Sequence, residues 1–198
     1  MNYCCRHPDT HRALHQRGVT LVELMVVVAI TAILAAVAVP QFSHLVGSRA
    51  IDAQSSALMS SLRLARSEAL KRNLPVSICP TANPDAAAPT CTAPIPGVGW
   101  ASGWIVFTDL GVAGQIGPND TVIRVQSGFS GSGGMEPSGF NFIRYSANGI
   151  PIGNSGNFEL TNKAAPTETS SKRYICLGIA GSARLSKTVC NPSSNSNP

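Results

Sequence analysis

The stretch RGVTLVELMVVVAITAILAAVAVPQF, residues Arg17–Phe42, is an apolar run of membrane length that opens on an Arg-Gly pair and carries one carboxylate, Glu23, near its start. Val19 to Val39 matches the roughly 20 residues that cross a bilayer core. A carboxylate in hydrocarbon costs about 2.5–3.5 kcal/mol on insertion scales, so a simple anchor gains nothing from Glu23, and an ionic partner is expected for it. Arg6, Arg12 and Arg17 precede the run against a single acid, Asp9, a bias that holds the N-terminus in the cytoplasm. Two plainer readings compete: a secretory signal cut after Ala36-Val37-Ala38, and an anchor whose glutamate is incidental. Neither accounts for Gly18 followed directly by VTLVEL.

Beyond Pro40 the helical pattern resumes. Ile51, Ala57, Leu58, Leu62, Ala65 and Ala69 recur by threes and fours, as a one-sided helix requires, while Asp52, Arg63, Arg66, Lys71 and Arg72 fall on the other side. Glu68 stands four residues before Arg72, the favourable orientation for a helical ion pair, so the basic cluster reads as a solvated face. Pro40 removes a backbone donor and crowds the preceding turn, predicting a kink or local melting at Ala36 to Val39. Asn73 and Pro75 supply a stop.

The remaining residues, roughly 125, suit one small domain. Hydrophobic residues make up 43% of the chain and charged ones 13%, which excludes a disordered head. Short β-rich segments are expected at Pro75 to Cys79, Gly103 to Thr108, Thr121 to Gln126, Phe140 to Ser146, Asn157 to Leu160, Arg173 to Ile179 and Ala183 to Cys190. Asn148-Gly149 predicts a hairpin turn with both residues at positive φ. GFSGSGG, Gly128 to Gly134, reads as a mobile loop, and Trp100 and Trp104 as core packing. TANPDAAAPTCTAPIPG, Thr81 to Gly97, is a Pro-rich connection, and NPSSNSNP a polar tail.

The six cysteines separate by position. Cys4 and Cys5 lie ahead of the apolar run, where thiols stay reduced. Cys79, Cys91, Cys176 and Cys190 form an even set in the head and read as two disulfides. Three pairings are possible, of which Cys79 with Cys91 and Cys176 with Cys190 closes the two shortest loops and is the expected one. Zinc is the rival reading, without a C-x-x-C spacing behind it. His7, His11 and His15 repeat every four residues but precede Gly18, and neither a metal nor another cofactor is expected. His44 is the only other histidine, near the membrane boundary, so no Ser-His-Asp arrangement can be assembled and the chain is not expected to be an enzyme.

RGVTLVELMVVVAI resembles the N-terminus of type IV pilins and type II secretion pseudopilins. LRLARSEALKRNLPVSIC, Leu62 to Cys79, and GWASGWIVFTD further on are similar to the FimT/GspH family of minor pilins and minor pseudopilins. The resemblance implies an α+β type IV pilin fold, with a long N-terminal helix packed on a head of antiparallel sheets. It also implies cleavage by prepilin peptidase after Gly18 and methylation of Val19. Glu23 would then meet the N-terminal amine of a neighbouring subunit during assembly, with the chain held in the inner membrane and its head in the periplasm. The corresponding division is a leader at 1–18, a helix at 19–73 with a transmembrane half at 19–39 and an amphipathic half at 43–73, a head at 74–190 and a tail at 191–198. Removing three arginines and one aspartate with the leader lowers the formal charge from +5 to +3.

Between Lys172 and the C-terminus lie Lys172, Arg173, Arg184 and Lys187 and no acid. In FimT-like minor pilins of transformable bacteria, a Gly-Arg-x-Arg motif on the last hairpin is associated with DNA. Here GSAR, Gly181 to Arg184, places Arg184 at the second arginine position and Ser182 at the first. The resemblance therefore implies a minor pilin that joins other pilins in a fibre and binds double-stranded DNA through these four bases during natural transformation. The alternative is a pseudopilin of a type II secretion system, contacting proteins.

Overall fold

The computed structural model describes residues 18–153 and 156–190, and of residues 39–41 and 44 the backbone alone. The leader expectations at Cys4, Cys5, His7, His11 and His15 and the tail at 191–198 lie outside the described residues. The chain forms two compact units, divided between Pro40 and Gln41.

Helix α1, Leu21–Arg72, runs without interruption, so the backbone at Ala36 to Val39 is helical and not melted. An internal proline forfeits one hydrogen bond, and here the turns on either side remain helical. In the first unit, the window Leu21–Ala38 has a mean hydropathy of 2.7 and contains no buried residue. At 1.5 Å per residue, those 18 positions rise roughly 27 Å, close to the hydrocarbon thickness of a bilayer.

The head unit is organised by the later part of α1. Ile51, Leu58, Leu62, Ala65 and Ala69 are buried in the main core, while Arg63 and Arg72 are exposed. Glu68 takes a hydrogen bond from Arg72 Nε at 2.6 Å, and this contact holds its carboxyl below the usual range. The helix ends with Asn73 at φ 55, whose left-handed turn lets Leu74 N–H reach Ala69 O at 3.3 Å.

Among the described residues eight strands follow: β1 Val76–Pro80, β2 Gly103–Thr108, β3 Val122–Ser127, β4 Ser132–Pro137, β5 Ile143–Tyr145, β6 Gly156–Asn162, β7 Arg173–Leu177 and β8 Ala183–Ser186. They build two antiparallel sheets, ordered β3-β2-β1-β5 and β4-β6-β7-β8. Trp104 and Val106 of β2 face α1, and Trp104 Nε1 donates to Ser61 Oγ at 2.9 Å. Trp100 packs edge-on against Phe158, with ring centroids 4.9 Å apart. Ile105 and Phe107 point the other way into a second, smaller core with Cys79, Cys91, Ile116 and Phe142. Burial on both faces explains the unbroken apolar run of β2.

Three expectations need correction. Ser132 to Gly134, read as loop, begin β4, because β6 offers a ladder that overrides the poor strand propensity of two glycines. The Asn148-Gly149 turn holds only Gly149 at positive φ, so it is not the mirror-image turn expected. Its geometry is a four-residue turn closed by Gly149 N–H to Ser146 O at 2.8 Å, with Ser146 N–H returning to Ile150 O. The last strand stops at Ser186, where the Ser186 hydroxyl turns the chain by accepting Thr188 N–H.

Tyr145, at 1% exposure, supplies a pH prediction. Burial pushes its phenol up to about 12, against the opposing charge of Arg66. The folded head thus retains this proton to higher pH than the unfolded chain does. The stabilisation is fully present below about pH 10 and is lost as pH rises toward 12, a change on the order of 2–3 kcal/mol. Thermal melts of the full chain between pH 9 and 12 should fall more steeply for wild type than for Tyr145→Phe; equal slopes would contradict this.

Candidate functional site

The start of α1 is built by its own sequence. Gly18 to Thr20 precede the helix, and among the described residues a side chain at Gly18 would meet nothing within 4 Å. Thr20 caps the first turn: its Oγ1 accepts Glu23 N–H at 3.2 Å, and its carbonyl accepts Leu24 N–H at 3.1 Å. Thr20-x-x-Glu23 is thus a capping sequence, a role of Thr20 beyond those expected, for which the Thr-x-x-Glu spacing before an apolar run is the available signal. Glu23 lies in the first turn, where the helix dipole favours a negative charge, and its side chain is exposed. Val19, Leu21 and Val22 around it are likewise exposed. The carboxylate therefore sits exposed on an unburied apolar stem.

The second group is at the end of the chain. The last hairpin pairs β7 with β8 from Tyr174 opposite Ser186 to Leu177 opposite Ala183. Ile175, Leu177 and Ala183 pack toward the main core, so strand alternation puts Cys176 and its cross-strand neighbour Arg184 on the opposite face. Cys176 is bonded to Cys190, with Cα atoms 5.6 Å apart, and Cys79 to Cys91 at 5.5 Å. Gly181 of the GSAR segment stands at φ 79 in the connecting turn, and a side chain there would meet Gly149 O at 2.9 Å. The glycine is thus required by the seating of the turn, whatever the arginines do.

The four bases differ in their surroundings. Arg184 and Lys187 are exposed, and among the described residues neither is paired with an acid. Lys172 is engaged by Glu159 at 2.5 Å, a hydrogen bond that raises its pKa. Arg173 donates through Nη1 to the carbonyls of Ser170 and Lys172. Lys172 and Arg173 are thus half-buried and hydrogen-bonded within the head.

Among the described residues no cluster of three or more His, Cys, Asp or Glu could hold a metal. A cavity of about 250 Å³ beside α1, lined by Ile51 and the polar side chains of Ser48, Asp52, Asn162, Ser170, Ser171 and Arg173, has no histidine or cysteine in its lining.

The family model for Type II transport protein GspH matches residues 54–182, and that for the prokaryotic N-terminal methylation motif matches residues 14–39. Two crystal forms of the type IV minor pilin FimU from Pseudomonas aeruginosa share the fold. One gives a TM-score of 0.52 at 19% identity, covering 69% of this chain and 87% of that one. The other gives 0.50 at 20% identity, covering 68% and 91%.

Proposed function

We propose a function from the premise that this chain belongs to the GspH family, structural subunits with the type IV pilin fold. It is a minor type IV pilin, cut by prepilin peptidase between Gly18 and Val19 and methylated on Val19. It is held in the inner membrane by the first part of α1, with the head in the periplasm, and is drawn into a fibre with other pilins through Glu23. Its last hairpin binds double-stranded DNA through Arg184 and Lys187 during natural transformation. The observation that carries the DNA reading is the pair of exposed, unmatched cations on and just after β8. A pseudopilin that contacts proteins is the second reading, favoured by Ser182 at the first arginine position and by the commitment of Lys172 to Glu159.

Phosphate contacts release counterions, so affinity falls with salt at a slope near −0.9 per contact. Two contacts predict a slope of about −2, or roughly a tenfold loss from 50 to 200 mM salt, with little dependence on sequence. Arg184→Gln should halve the slope, and Ser182→Arg should steepen it. The check is a titration of the full chain in neutral detergent with a short duplex. Absence of salt-sensitive binding, or an unchanged Arg184→Gln variant, would leave the protein-contacting pseudopilin.

A further inference from the structure

The two disulfides stand in unlike surroundings. Cys79 lies on β1, which is flanked by β2 and β5, and the Cys79–Cys91 bridge is packed into the second core with Ile105, Phe107, Ile116 and Phe142. Opening that bridge would leave β1 laddered on both sides. The Cys176–Cys190 bridge instead encloses β8, a strand of four residues at the sheet edge with β7 as its one neighbour among the described residues. Arg184 and Leu185 are exposed, and Ala183 is the one residue of β8 packed against the main core. Cys190 follows three exposed residues, 187–189. The non-covalent hold on β8 is thus a short ladder with little buried surface, the composition of a segment that opens locally at low cost.

We propose that Cys176–Cys190 is a thiol-reducible latch on β8. A dithiol reductant attacks Cys190 Sγ as its thiolate, the S–S bond breaks, and Cys176 leaves as a thiolate. The second thiol of the reductant then displaces Cys190 from the mixed disulfide. Two electrons pass to the protein, the reductant becomes a disulfide, and the cysteine thiolates take up protons from water. With the bridge open, β8 leaves β7 and Arg184 loses its fixed position. Release of the strand rests on the fold; its consequence for DNA rests on the reading of Arg184 above.

The test is a dithiothreitol titration of the full chain in neutral detergent, followed by alkylation mapping and by amide hydrogen exchange. Cys176 and Cys190 should become alkylated at reductant concentrations at least tenfold below those needed for Cys79 and Cys91. At that point exchange within Ala183–Ser186 should accelerate at least tenfold, with β1 and β2 unchanged. Cys190→Ser should show the same exchange without reductant. Simultaneous opening of both bridges, or a β8 that stays protected after selective opening or in Cys190→Ser, overturns the latch. Duplex affinity should fall at least threefold on opening. If β8 is released but duplex binding is the same in both states, the latch stands and the assignment of DNA to Arg184 falls.

Discussion

Glu23→Ala should insert in the membrane as well as wild type and yet enter fibres at a level lower by roughly a hundredfold. The carboxylate stands exposed in the first turn of α1 among exposed apolar side chains, where in hydrocarbon a charge calls for a cation as its partner. On the proposed reading that cation is the amine created at Val19 of a neighbouring subunit. Removing one member of a buried pair strands the other at about 3–5 kcal/mol, which is two to three and a half decades in an equilibrium. Glu23→Gln should fail as badly, because it keeps size and hydrogen bonding and loses the charge. The local helix start is a separate matter. Thr20→Val removes the side-chain cap at a cost of about 1 kcal/mol and should reduce assembly far less. Immunoblots of sheared fibres and membranes supply the measurement, with mass spectrometry of the mature N-terminus as control. Val19 is expected there; Val39 would establish a cleaved secretory signal, and normal fibre incorporation of Glu23→Ala would remove the pairing role.

What could be read in advance follows the range of the interactions. The helix was legible because its determinants are local: an unbroken apolar run, then a stripe from Ile51 to Ala69 that repeats by threes and fours, closed by Asn73. β2 was legible for the same reason, its six residues all buried. β4 was not, since its signal lies in the ladder with β6, from Met135 opposite Leu160 to Pro137 opposite Phe158, and not in the residues Ser132-Gly133-Gly134. The status of the bases divides similarly. Arg184 and Lys187 lie in an acid-free stretch of sequence, but the partner of Lys172 is Glu159, thirteen residues earlier and brought close by the β6–β7 ladder. Nor does sequence spacing reveal that Ile116 and Phe142, both outside the strands, join Cys79 and Phe107 in a second core.

The same long-range logic singles out Asp109, which no local pattern marked. It is fully buried just after β2, and its Oδ2 accepts Ser77 Oγ at 2.5 Å and Gly114 N–H at 2.9 Å, with Arg144 Nε 3.5 Å away. Arg144 Nη2 also donates to the Asp109 carbonyl at 2.9 Å, so one residue ties β1, β5 and the following loop together. Asp120 continues that loop by accepting the N–H groups of Leu110 and Gly117. Asp109→Ala would leave the Ser77 hydroxyl and the Gly114 amide without their acceptor and take the opposing charge from the Arg144 guanidinium, which keeps only the backbone carbonyl. The expected loss is about 3–5 kcal/mol, or roughly 10–20 °C in Tm for a head of this size. Asp109→Asn should cost less, since it keeps an acceptor toward Ser77 and Gly114. If the charge pair is the main term, Asp109→Ala combined with Arg144→Met should be less destabilised than the sum of the two single changes by at least about 1 kcal/mol. Melts of the four proteins in one detergent decide this. A Tm for Asp109→Ala within a few degrees of wild type would place the anchoring of the 109–121 loop on Asp120 and on the contacts of Ile116 in the second core.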